Sequence, residues 1–155
     1  MTAVSILVWT LIYGVIWNVL GWAGNNFILE AGWDAVGAQL TPDFTPPWSP
    51  LTHELLSFVS DFVYAFAFVW LFARATQKSI AHALALVFVL WVAGAVMTYL
   101  AIVNAGFLPL EIAVQTSVLA LVIFVVTAPI LPMMLRKKRS AKRPKAFCVA
   151  LFLAV

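Results

Sequence analysis

Asp61 is an acidic residue inside the apolar stretch Leu55–Ala73, with Ser57, Ser60 and Tyr64 on the same helical face and Glu54 seven residues before it. Three other apolar stretches carry small or polar residues at helical spacing. Gly14, Asn18, Gly21 and Asn25 recur at i, i+4, i+7 and i+11. Gly94 and Thr98 are four residues apart with Tyr99 beside them, and so are Glu111 and Gln115. A carboxylate ringed by amides and hydroxyls can hold a proton, a cation or a hydrogen-bonding small molecule. Ionisable groups within membrane segments are costly and commonly functional. Asp61, Tyr64, Asn18, Thr98, Glu111 and Gln115 are therefore the candidate ligand-binding or proton-carrying set.

Each of these residues also has a plainer explanation. Stripes of Gly, Ser, Thr and Asn form helix–helix packing surfaces, where a hydrogen bond contributes about 0.6 kcal/mol on average. That accounts equally for Asn18, Ser57, Ser60 and Thr98. Glu111 follows Pro109 by two residues and would complement a helix dipole in a first turn. His53 and Glu54 fall in an early turn near water. Asp61 is harder to explain this way, because a charge at mid-bilayer costs about 2.5–3.5 kcal/mol. Its stabilisation has to come from water, a metal, a proton, His53, or hydrogen bonds from Tyr64, Asn18 or Gln115.

The familiar catalytic signatures are missing from the sequence: no glycine-rich phosphate loop, HExxH, GxSxG or multi-His cluster occurs. Cys148 is the single cysteine, which excludes an internal disulfide and a multi-cysteine metal site. It reads as an apolar filler or an acylation candidate near a basic run. No cofactor is expected.

The elements that must position these residues follow from composition. Of 155 residues, 65% are apolar and 10% charged, and the mean hydropathy is +1.05. Soluble domains carry about 25% charged residues, so this chain cannot cover a water-facing surface, and an ordinary cytosolic enzyme or a disordered linker is excluded. A hydrocarbon core ~30 Å thick needs roughly 20 apolar residues per helix. Four stretches qualify: Val4–Ala23, Leu55–Ala73, Ile80–Val103 and Ile112–Leu135. Backbone amides without water must bond internally, so each is expected to be helical. The first stretch lacks the basic flank of a signal peptide, since no Lys or Arg precedes Arg74, and is read as a permanent span.

Charge sets the orientation. Arg74 and Lys78 lie in the link between spans two and three, and the remaining seven of the nine bases follow span four. All six acids, Glu30, Asp34, Asp43, Glu54, Asp61 and Glu111, fall toward the other side. A three- or five-span arrangement breaks this sorting. The positive-inside tendency then predicts an all-α, up-down bundle with both termini cytoplasmic. Asp61 precedes Arg74 by thirteen residues, a helical rise of about 20 Å, which leaves it about 10 Å beneath the outer boundary. The same counting puts Asn18, Thr98 and Gln115 roughly 6–10 Å below that boundary. The four helices thus predict a polar pocket at one level, open toward the outside.

The outer loop, residues 24–54, has Leu29, Trp33, Val36 and Leu40 at helical spacing, which predicts a short amphipathic helix on the outer surface. Thr41–Pro50 holds four prolines and is expected to be extended. Ser49-Pro50 reads as a helix cap followed by proline at the first position, and Asn104-Ala105-Gly106 as a helix stop before a restart at Pro109. Pro129 and Pro132 predict a kink or a frayed turn. Trp17, Trp22, Trp33 and Trp48 resemble interfacial anchors, whereas Trp91 at mid-span needs a partner for its indole N–H or packs as bulk. Residues 1–135 form the membrane domain and residues 136–155 a cytoplasmic tail. The basic run Arg136–Lys145 suits anionic headgroups rather than nucleic acid, and the apolar Ala146–Val155 is too short to span.

Three functions remain open. The chain is a non-catalytic plasma-membrane bundle, bacterial in character, acting as subunit, scaffold or small-ligand binder. Alternatively it is a small homo-oligomeric transporter with Asp61 as titrating group. The third is a membrane enzyme acting on lipid or quinone, with His53, Glu54, Asp61 and Glu111 as acid–base or metal groups.

Overall fold

A computed structural model describes residues 1–39 and 49–141, of which 39, 50, 53, 54 and 136–141 are described as backbone alone. The expectations for Leu40, for Thr41–Trp48 and for the chain beyond Ala141, Cys148 included, lie outside the described residues.

The described residues are helical, without a strand. The order is α1 (Ala3–Phe27), α2 (Glu30–Gln39), α3 (Pro50–Arg74), α4 (Ile80–Trp91), a π-helical turn (Val92–Val96), α5 (Met97–Asn104), α6 (Leu110–Thr127) and α7 (Ile130–Ala141). Four helical segments are long and apolar enough to cross a membrane: Ala3–Phe27, Leu55–Arg74, Ile80–Asn104 and Leu110–Leu135. Their outward faces carry large apolar side chains, one example on each being Val4 at 72% exposure, Val63 at 60%, Val89 at 62% and Val126 at 67%. Water would not tolerate such a surface on a monomer, and lipid is its natural solvent.

Local chemistry fixes the helix ends. Thr2 caps α1 by accepting from the Ser5 amide at 3.2 Å, Ser49 caps α3 from Thr52 at 3.3 Å, and Ser79 caps α4 from His82 at 3.1 Å. At the other end of α3 the Lys78 ammonium donates to the carbonyls of Phe72, Ala73 and Ala75 at 3.0, 2.7 and 2.9 Å. Orphan carbonyls and the negative end of the helix dipole are satisfied together. α5 stops where the sequence predicts. Gly106, at φ +77°, lets its own amide reach Val103 O and the Phe107 amide reach Ile102 O, the paired bonds of a Schellman motif.

The proline-bearing end of span four shows a specific repair. Pro129 and Pro132 carry no amide hydrogen, and the helix breaks between Thr127 and Ile130. The Leu131 amide, which would ordinarily bond Thr127 O, donates instead to the Tyr13 hydroxyl at 3.0 Å. That hydroxyl donates on to Thr127 O at 3.0 Å. Tyr13 is thus inserted into the ladder of another helix. Trp17 Nε1 adds a bond to Thr127 Oγ1 at 2.8 Å. Neighbouring side chains keep the broken backbone satisfied where no water is available.

Around this joint lies the main core, with Tyr13, Phe68, Val69, Phe72, Ala83, Val87, Ala128 and Leu131 fully enclosed. Phe68 stands edge-on to Tyr13 at 5.1 Å between ring centroids. A second cluster joins Leu29 and Val36 of the α2 region to Leu108, Ile112 and Ala113. The predicted stripe of α2 therefore packs on α6 and its preceding link instead of on a lipid surface. Trp33 completes the join by donating to Asn25 Oδ1 at 3.0 Å. Trp17 is likewise no interfacial anchor, since it is 3% exposed and belongs to the core.

Candidate functional site

α1 packs chiefly along α3, and α4 along α6. On the α2 side of the main core the two pairs stand apart around a cleft of about 930 Å³. All four membrane-long segments line it. Asn18 and Gly21 come from α1, Asp61 and Tyr64 from α3, Gly94 from the π turn, Thr98 and Tyr99 from α5, and Thr116 and Phe124 from α6.

Asp61 is half-buried on the cleft wall, and its Oδ2 accepts a hydrogen bond from Asn18 Nδ2 at 3.1 Å. Among the described side chains, Asn18 is the partner of Asp61 that the fold supplies. Tyr64 lies across from the π turn, its ring and hydroxyl set directly over Gly94. Any Cβ at that position would collide with the phenol, so glycine is what lets α3 approach span three here. The extra residue of a π turn shifts the helical face at that level and brings Gly94, Ala95 and Thr98 onto the cleft together. Directly before the turn, Trp91 Nε1 donates to Ser117 O at 2.8 Å, which ties span three to span four and answers the need for a partner.

Four of the six candidates therefore share one cavity: Asp61, Asn18, Tyr64 and Thr98. Glu111 and Gln115 do not. Gln115 Nε2 donates to Glu111 Oε1 at 3.3 Å, and both face a smaller pocket of about 440 Å³ beneath α2, lined with Gly32 and Ile112. The expected wall of Glu111 and Gln115 opposite Asp61 is corrected accordingly. On α6 the cleft face is Thr116, Leu119, Ala120, Ile123 and Phe124, an i, i+3, i+4, i+7, i+8 row. One residue along a helix turns the side chain by about 100°, enough to take Gln115 out and bring Thr116 in. Thr116 is 7% exposed, and its hydroxyl has no hydrogen-bond partner among the described residues.

Thr116, Trp17 and Phe124 are among the lining residues outside the stripes the sequence singles out. The small pair Thr116 and Ala120, four apart, was the available signal on α6. The His53 and Glu54 side chains lie outside the described residues. Among the described residues no three His, Cys, Asp or Glu side chains gather as a metal site would require.

No family model matches this chain, and neither a curated protein nor a solved structure does. What fold and site define, among the described residues, is a helical protein with four membrane-long segments around a mainly apolar cleft that carries a few polar groups.

Proposed function

We propose that this chain is a non-catalytic integral membrane protein that binds a small ligand in the cleft between its spans. The observation that carries this is the convergence of Asp61, Asn18, Tyr64, Thr98 and Thr116 from four separate segments onto one cavity. A packing role for polar stripes calls for contact between helices; the Asn18–Asp61 bond and the seat of Tyr64 on Gly94 are such contacts, and the same residues also line the cavity. The size is that of small-molecule sites, about 300–1,000 Å³. Apolar lining with a few polar groups also fits that class.

The finer topology belongs to the same proposal: an up-down bundle, both termini cytoplasmic, in a plasma membrane of the bacterial inner-membrane type. Its support is the sorting of nine bases from six acids. The basic run Arg136–Lys145 would rest on anionic headgroups. Reporter fusions at Asp43 and Lys142 are expected on opposite faces, and a shared face would end this topology.

Gly21 offers a test of the cleft. It lines the cavity, and a Cβ there meets nothing within 4 Å. Gly21→Phe should fill the cleft without displacing a helix. Native mass spectrometry of protein extracted with its membrane should show a ligand-bound species that Gly21→Phe loses. Identical spectra for the two proteins would overturn the reading.

A small homo-oligomeric transporter is the second reading. The observation that favours it is that two of the four membrane-long segments are interrupted, one at Val92–Val96 and one at Thr127–Ile130, as discontinuous helices in transporters are. Ligand accumulation in liposomes, abolished by Asp61→Asn, would favour it over simple binding.

A further inference from the structure

The small-ligand reading leaves the chemistry of the ligand open, and the composition of the cleft wall narrows it. Among the described residues lining it, Asp61 is the one carboxylate, and no Lys, Arg or His joins it. The nearest bases in the same helical hairpin are engaged at its far end. Arg74 lies over the Trp70 ring, 4.3 Å from its centroid, and Lys78 holds the carbonyls that close α3. Asn18 occupies Oδ2 of Asp61 at 3.1 Å with its amide nitrogen. An amide donor orients a carboxylate without neutralising it, and no cationic side chain among the described lining residues pairs with it.

The remaining walls fit the same kind of guest. Trp22, Phe58, Tyr64, Tyr99 and Phe124 supply aromatic surface around the cleft. Aromatic faces attract a cation while their area takes up an apolar body. Thr116 also lines the cleft, with its hydroxyl buried behind the surface and without a partner among the described residues. An anionic guest would meet the Asp61 carboxylate with nothing to offset it. A neutral guest would leave that charge uncompensated.

We infer that the cleft takes a cationic amphiphile, an ammonium group on an apolar body, with the ammonium at Asp61 and the body against the aromatic walls. The ammonium can come from two sources, a free organic cation or the headgroup of an amine-bearing lipid. This inference rests on the small-ligand reading above.

The test uses the full chain in nanodiscs of phosphatidylglycerol, which carries no ammonium. Binding of benzyltrimethylammonium is compared with that of neopentylbenzene, the neutral molecule of the same shape, by tryptophan fluorescence and thermal shift. Wild-type protein is expected to prefer the cation. Asp61→Asn is expected to weaken cation binding by roughly 10- to 100-fold, the lower end of the range for losing a close charge–charge contact, and to leave the neutral probe unchanged. Asp61→Glu, which keeps the charge, should retain the preference. Repeating the titration with phosphatidylethanolamine in the disc separates the sources. A weaker probe affinity, with phosphatidylethanolamine retained by wild type and not by Asp61→Asn in native spectra, identifies the lipid. An unchanged affinity identifies a free cation.

Equal binding of both probes, unaffected by Asp61→Asn but lost in Gly21→Phe, would overturn the cationic assignment and leave the small-ligand reading standing. Binding of neither probe, with Gly21→Phe and wild type giving the same native spectra, would remove both.

Discussion

At the level of Tyr13, Phe68 and Leu131 the four membrane-long segments close on one another. There the side chains are fully enclosed and the backbone break is bridged by hydrogen bonds from α1. Toward α2, between Asn18 and Thr98, the same helices stand around about 930 Å³ of open space lined with amides, hydroxyls and a carboxylate. The two regions share helices, solvent and residue types, and both contain tyrosine, tryptophan and threonine. They differ in what their polar atoms face. Near Leu131 the polar groups of Tyr13, Trp17 and Thr127 pair with one another and with backbone. Around Asp61 the side chains of Asn18, Tyr64 and Thr98 line a cavity. The pairing at the closed level serves the broken backbone, whereas the Asn18–Asp61 pair stands on a cavity wall.

The largest expected effect is at the closed level. Phe68→Ala removes an enclosed ring that contacts Tyr13, Trp17 and Phe72. It should cost about 3–5 kcal/mol in equilibrium unfolding from mixed micelles. A cost near zero would break the contrast, because the supposed core would then be as permissive as the cleft. Next is Tyr13→Phe, which deletes the hydroxyl between Leu131 N and Thr127 O. Leaving buried backbone groups unpaired should cost about 1–3 kcal/mol, and amide exchange at Leu131 should accelerate. Normal exchange there would mean that the break closes without help.

A glycine pair sharpens the boundary between the levels. Gly94→Val drives a side chain into the Tyr64 ring, whereas Gly21→Val projects into open space. The first should lower stability by about 1–3 kcal/mol, the usual range for overpacking. The second should stay within about 0.5 kcal/mol. Thermal unfolding of the two variants side by side measures the difference, and equal losses would mean that the cleft is closed in the working protein. A similarly small effect is expected from Asp61→Asn. The substitution removes a charge from the membrane level and keeps the shape, so stability should stay within about 1 kcal/mol of wild type or rise slightly. A larger loss would make the Asn18–Asp61 bond a structural pin and move Asp61 to the closed side of the comparison.

Much of this arrangement was legible in the sequence because it depends on local rules. Span boundaries follow from runs of apolar residues, the caps at Ser49 and the stop at Gly106 from side-chain chemistry within a turn, and the helix break from Pro129. The site was legible in part. Asn18, Asp61, Tyr64 and Thr98 could be found because polar residues are conspicuous within apolar helices. The face of α6 could not, since Glu111 and Gln115 are the more polar pair there and yet lie under α2. Polarity identifies the residues that need an explanation, but only packing says which way each one points.

The sequence by itself determined that four stretches are long and apolar enough to cross a membrane and where their helices begin and end, since these follow from hydrophobicity and capping. Tertiary structure alone decided that Tyr13 repairs the break in span four, that Asn18 is the partner of Asp61, and that α6 offers Thr116 to the cleft in place of Gln115. Those outcomes depend on the relative rotation of helices far apart in the chain. That rotation is set by which side chains interdigitate, and no local pattern of residues encodes it.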